Sequence, residues 1–223
     1  MSVKRVVVVL TMIVVAVPVA YVVDQAVCTL RILAVVERER DTWQRPDDIL
    51  RQLDLDPGDS VVDFGSGAGY FALKMAPRVA PNGRVLAIDL RRQSLAFLWI
   101  RAVLGGHWNL HVTRGEVDDP TLPPGTNDAV LIANTYHELT APAPILKALF
   151  ASMRSGARMV VVDRGPRTVD TAHDVATAHH EVTSALAERD ILQHGFETVT
   201  RDDRFIDRPA DDDIWWLMVF RKP

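Results

Sequence analysis

Residues 61–71, VVDFGSGAGYF, constrain the fold of this chain more than any other segment. A short apolar run ends in three alternating glycines, Gly65, Gly67 and Gly69, and helical spacing follows. Glycine takes up positive φ without steric cost and lets a ligand come close to the backbone. The segment therefore reads as a buried strand, a tight loop and the start of a helix. At the first strand-to-helix junction of a parallel sheet, such a loop is a ligand cradle.

The rest of the chain agrees with that context. A short helix, PDDILRQLDL, opens at Pro46, and Pro57-Gly58-Asp59 marks a turn. Beyond it, apolar runs at Ser60–Phe64, Arg84–Leu90, Asn109–Thr113, Asn127–Asn134 and Arg158–Asp163 alternate with helical patterns at 68–80, 92–104, 144–153 and 173–193. Strands at 196–200 and 214–220 close the chain as a hairpin, with the polar stretch Arg201–Asp213 as its solvated connection. Alternation of this kind predicts an α/β fold with a mainly parallel sheet and helices on both faces.

The loop's details separate its possible ligands. A dinucleotide loop places its third glycine where this chain has Tyr70, and its strand is apolar where this chain has Asp63. An acidic entrance suits S-adenosylmethionine, which carries an ammonium and a sulfonium but no pyrophosphate. The next strand ends in Asp89, followed by Leu90, and a carboxylate there can accept both ribose hydroxyls. A cap on the following helix is the lesser alternative for Asp89. After the third strand comes GEVDD, where Glu116, or failing it Asp118, could accept from an adenine amino group while the backbone N–H of Val117 meets the ring. A solvated acidic turn is the plainer alternative.

DxGxGxG at 63–69, the acid at 89, GEVDDPTLP at 115–123 and NDAVLIANTYHEL at 127–139 together resemble the class I S-adenosylmethionine-dependent methyltransferases. Within them the chain is similar to small bacterial members that open with a W-x-x-P segment, here Trp43-Gln44-Arg45-Pro46. The resemblance runs from about residue 41 to the end. It implies a Rossmann-like, seven-stranded sheet with an antiparallel last strand, and S-adenosylmethionine held by Asp63, Gly65, Gly67, Gly69, Tyr70, Asp89, Leu90, Glu116, Val117 and Asn134.

In such sheets ligands bind beyond the carboxyl ends of the strands. The fourth strand ends in Asn134-Thr135-Tyr136-His137-Glu138, which puts these side chains nearest the transferred methyl group. His137 titrates near neutrality and is the expected base, with Glu138 orienting it or acting alone. A purely structural role for His137 weighs equally. Tyr136 and His180 are expected to line the substrate pocket. His173, His179 and His180 lack the local spacing of a metal site, so no metal is expected.

The N-terminus stands apart. After Lys4 and Arg5, residues 6–23 carry no charge, enough for a helix to cross about 27 Å of bilayer. A small-residue cleavage site is missing ahead of Asp24, so an uncleaved anchor is favoured over a signal peptide or a buried helix. The expected organisation is an anchor at 1–23, a juxtamembrane linker helix at 24–42 and a methyltransferase domain at 43–223. Lys4 and Arg5 favour a cytoplasmic N-terminus. Arg31, Arg38 and Arg40, and a methyl donor made in the cytosol, favour a catalytic domain facing the cytoplasm instead; that second reading is adopted. The net charge of −4, with basic residues scattered among acidic ones, argues against nucleic acid as a partner. Cys28 alone permits neither an internal disulfide nor a thiolate metal cluster. A small molecule or a lipid is the expected acceptor. The oligomeric state is not legible.

Overall fold

A 41-residue helix, α1 (Val3–Trp43), opens the chain and runs through Pro18 without interruption. The computed structural model describes residues 3–166 and 181–223, with side chains from residue 16 onward. Contacts divide the chain into two compact units, Met1–Trp43 and Gln44–Pro223. Within α1, the stretch from Ala16 on is long and apolar enough to cross a membrane, and large side chains such as Val17, Tyr21 and Val22 are exposed.

The second unit begins with α2 (Pro46–Gln52) and continues through β1 (Ser60–Phe64), α3 (Ala72–Val79), β2 (Arg84–Asp89), α4 (Arg92–Leu104), β3 (Leu110–Arg114) and β4 (Asn127–Ala133). A 3₁₀ turn at Tyr136–Glu138 leads to α5 (Pro142–Ser152), β5 (Met153–Arg164), α6 (Ser184–Leu192), β6 (Glu197–Arg208) and β7 (Asp213–Arg221). The seven strands form one sheet in the order β3-β2-β1-β4-β5-β7-β6. β1 pairs in parallel with both β2 and β4, whereas β7 is antiparallel to β5 and to β6. The expected mostly parallel, seven-stranded architecture with an antiparallel last strand is the one observed.

Burial explains the composition of the strands. Every residue of β1 is buried and β4 is nearly so, as central strands covered on both faces must be. Val130, Ile132, Val161 and Phe220 pack against Ile145, Leu146 and Leu149 of α5 and Leu186 and Ile191 of α6. Trp215 and Trp216 of β7 are both buried, and Trp216 Nε1 donates to Val182 O at 2.7 Å.

Four sequence expectations need correction. α3 starts at Ala72 rather than 68, because the glycine loop occupies the intervening residues. β5 starts at Met153 rather than Arg158. β6 extends to Arg208, so most of the polar stretch expected to connect the hairpin is strand, and the reversal is the short turn Pro209–Asp211. The helix expected over 173–193 is helical only over Ser184–Leu192 among the described residues; its first part, with His173, His179 and His180, lies outside them.

Core burial gives a direct stability contrast between two leucines. Leu146 is fully buried, and Leu146→Ala should cost about 2–5 kcal/mol in chemical denaturation of the full chain in detergent. Leu104 is 76% exposed, and Leu104→Ala should change stability by no more than about 0.5 kcal/mol.

Candidate functional site

Strand order reverses at β1, with β2 and β3 on one side and β4 and β5 on the other. Adjacent connections therefore leave β1 and β4 in opposite directions and open a crevice at their carboxyl ends. A cleft open to solvent lies at this edge. It is lined by Phe64, Gly65, Ile88, Asp89, Leu90, Arg91, Gly115, Glu116, Val117, Thr135, Glu138, Leu139, Thr140 and Ala141.

The loop between β1 and α3 is bonded to the end of β2. Gly65 and Ser66 both donate from N–H to Ile88 O at 2.9 Å, and Gly67 donates to Asp89 Oδ2 at 2.8 Å. Gly65 has φ +77, and a Cβ there would run into the side chain of Thr135, so only glycine permits β1 and β4 to end this close together. Gly67 has φ +53, but a Cβ there would meet nothing within 4 Å. The outer side of the loop is thus open space where a ligand can lie against backbone.

Asp89 accepts a second bond, from Arg91 N–H at 2.8 Å, on its other oxygen. A carboxylate offers about four acceptor positions, so each oxygen keeps one for a hydroxyl. The N-cap position of α4 is Arg91, not Asp89, and no side chain caps it. Leu90 (48% exposed) and Val117 (71% exposed) supply apolar surface to the cleft, and Glu116 stands between Gly115 and Val117 on its rim. Glu138 lines the same cleft, 3.3 Å from Arg91 Nη2.

Five of the expected cofactor residues, Gly65, Asp89, Leu90, Glu116 and Val117, thus line one cleft together with Glu138. Gly67 and Gly69 shape the loop behind it. Asp63 sits buried at the end of β1. Asn134 is exposed, in the left-handed region at φ 55, a conformation asparagine tolerates better than most residues. Thr135, expected at this end of the fourth strand, lines the cleft, and Arg91, which the sequence did not single out, adjoins Leu90.

Three placements correct the sequence reading. Tyr70 is buried, its ring edge-on to Phe71 at 4.8 Å, and packs inside the unit rather than along the cleft. Tyr136 is fully buried in the core with Ile145 and Leu186, burial pushes its hydroxyl pKa up, and it does not line the cleft formed by the described residues. His137 is only 3% exposed and does not line the cleft. Its Nδ1 lies 2.7 Å from Asp163 Oδ1, and its backbone N–H donates to Asp163 Oδ2 at 3.1 Å. Burial alone would push the imidazole pKa down, but the Asp163 hydrogen bond and charge outweigh it and hold the pKa above 6.5. Held by Asp163 in this way, the imidazole is enclosed and does not line the cleft. His180 lies outside the described residues. Among the described residues, no three His, Cys, Asp or Glu side chains converge on a metal position.

A glycine loop, a carboxylate at the end of β2 and an acidic turn after β3, on a sheet of this order, define a nucleoside-binding α/β enzyme fold. Comparison with known proteins sharpens the class. Residues 55–202 match the model of a methyltransferase domain family, and the chain belongs to that family. A demethylmenaquinone methyltransferase of Symbiobacterium thermophilum is 23% identical over 124 residues, 55% of this chain and 49% of that protein. The chain spans about half the length of the curated relatives it matches. Its fold is shared with a SAM-dependent methyltransferase from Aquifex aeolicus (21% identical, TM-score 0.68, 80% of this chain and 89% of that one). It is shared also with a Haemonchus contortus phosphoethanolamine N-methyltransferase solved with S-adenosyl-L-methionine (13% identical, TM-score 0.68, 81% of this chain and 53% of that one). S-adenosylmethionine is the cofactor, and the open space beside Gly67 and the spare acceptor positions of Asp89 fit it.

The His137–Asp163 pair yields a pH prediction. A folded-state pKa raised above the unfolded value adds stability that is present below about pH 6.5 and is lost as pH rises through the folded pKa. Asp163→Asn leaves burial as the dominant influence, so the His137 pKa should fall below 6.5 by NMR titration. The variant should also lose about 3–5 kcal/mol of stability, most at pH 5.5 to 6.5 and less toward pH 8.

Proposed function

We propose that this protein transfers a methyl group from S-adenosylmethionine to a small-molecule or lipid acceptor, with its folded unit held at a membrane by α1 and facing the cytoplasm. One observation carries the reading: Asp89, Leu90, Glu116, Val117 and Glu138 surround a single cleft at the switch point of the sheet. Asp89 would accept the ribose hydroxyls, Leu90 and Val117 would flank the adenine, and Glu116 would accept from its amino group. The loop Gly65–Gly69 and the buried Asp63 would hold the amino-acid end. Bound there, the cofactor supplies a methyl group on sulfonium, open to displacement by a nucleophile.

The remaining work falls to residues at the carboxyl end of β4. Glu138 reaches the cleft and would accept the acceptor's proton if the nucleophile is a hydroxyl or amine, with Arg91 fixing its position. His137 would act at one remove, tying the 3₁₀ turn to Asp163 so that Glu138 faces the cleft. Support for the membrane reading is the exposed apolar length of α1. The W-x-x-P segment ends in Pro46 at the start of α2, and placement among the small bacterial methyltransferases that share this opening belongs to the same proposal. Removal of His137 from the cleft favours one rival, a tethered protein that binds the cofactor without turnover.

Titration calorimetry tests the binding claim: the full chain in detergent should bind S-adenosylmethionine and not NAD, and failure to bind the former overturns the reading. Asp89→Ala removes hydrogen bonds to a charged acceptor and should weaken binding about 10- to 100-fold. Incubation of lipid and metabolite extracts with labelled methyl donor separates enzyme from sensor. Glu138→Gln should keep cofactor binding while lowering turnover about 10²- to 10⁴-fold on an acceptor that must lose a proton.

A further inference from the structure

The ends of β2, β1 and β4 lie level with one another, since parallel pairing sets Phe64 beside both Ile88 and Ile132. β2 and β4 flank β1, so their carboxyl ends stand about 10 Å apart, two strand spacings, across the glycine loop. One side chain from each flank closes that gap. Arg91 lies two residues beyond β2, and Glu138 ends the turn after β4. Both line the cleft, and Arg91 Nη2 is 3.3 Å from Glu138 Oε1. Among the described residues no other cation lines the cleft.

The roots of this bridge are fixed and its clasp is not. Arg91 N–H donates to Asp89 Oδ1 at 2.8 Å, and Glu138 N–H donates to Thr135 O at 3.0 Å. His137, next to Glu138, is tied to Asp163. The two side chains themselves are 69% and 45% exposed. An ion pair solvated to this extent is weak and parts readily. Its Arg91 root is bonded to Asp89, the carboxylate that would hold the ribose.

We propose that the Arg91–Glu138 pair is a strap that closes across the cofactor cleft whether it is empty or filled, so that S-adenosylmethionine enters and its demethylated product leaves only when the pair parts. The proposal rests on the cofactor reading of this cleft. A strap of this kind gates passage in both directions. It slows entry and exit by the same factor and leaves affinity nearly unchanged. A side chain that holds the ligand directly acts on dissociation and on affinity together. A cation that merely repels the positively charged cofactor acts on association. Rates therefore separate the three roles.

The test measures association and dissociation of S-adenosylmethionine on the full chain in detergent by surface plasmon resonance. Arg91→Ala should raise both rates about two- to fivefold, the range open to an exposed ion pair, with Kd changing less than about twofold. Arg91→Glu combined with Glu138→Arg rebuilds the pair in reverse at the same net charge and should return both rates toward their original values. Unchanged rates in Arg91→Ala overturn the proposal. So does a rise in dissociation alone, which would make Arg91 a direct contact of the cofactor, or a rise in association alone, which would leave only charge repulsion. Failure of the unsubstituted chain to bind S-adenosylmethionine sinks the cofactor reading, and the strap with it.

Discussion

The close approach of β1 and β4 at Gly65 and Thr135 is the constraint on which the rest of the site depends. A Cβ at Gly65 would overlap the Thr135 side chain, so a larger residue would part the two strand ends at the point where the sheet order reverses. With glycine there, the loop folds back onto β2, and three N–H groups from Gly65, Ser66 and Gly67 are spent on Ile88 O and Asp89 Oδ2. Those bonds fix Asp89 relative to the loop before any ligand arrives. Preorganisation of this kind spares the cofactor the cost of ordering its own site.

A second clamp operates one strand further along. Parallel pairing sets Ala133 beside Val162, which brings the turn after β4 next to Asp163 at the end of β5. Asp163 then holds His137 by both ring and backbone. This buried pair orients the 3₁₀ turn and leaves Glu138 on the cleft side. The two clamps together decide which side chains reach the open edge of the sheet.

Much of this was legible in the sequence where composition and geometry coincide. Central strands are mostly apolar because both faces are covered, so β1, β2 and β4 could be read from their runs. The glycine spacing with Asp63 and Asp89 pointed to S-adenosylmethionine, because a tight loop flanked by carboxylates is legible from local sequence alone. β6 was misread for a physical reason. It is an edge strand bonded only to β7, its first eight residues are exposed, and a strand solvated in this way has no apolar alternation to detect. The Asp163 partner of His137 was not legible because it lies 26 residues away, and only the strand register joins them. Tyr136 and Tyr70 show the same limit: an aromatic beside a site is as readily core as wall, and which one it becomes depends on helices packed from elsewhere in the chain.

The central claim, that the cleft at the ends of β1, β2 and β4 is the methyl-donor site, is tested most directly by a crystal structure of the protein with S-adenosylhomocysteine. The account predicts ribose hydroxyls on Asp89, adenine between Leu90 and Val117 with its amino group toward Glu116, and the amino-acid end against the loop Gly65–Gly69. Ligand bound away from Asp89, for instance in the cavity beside Arg84 and Leu122, would contradict it.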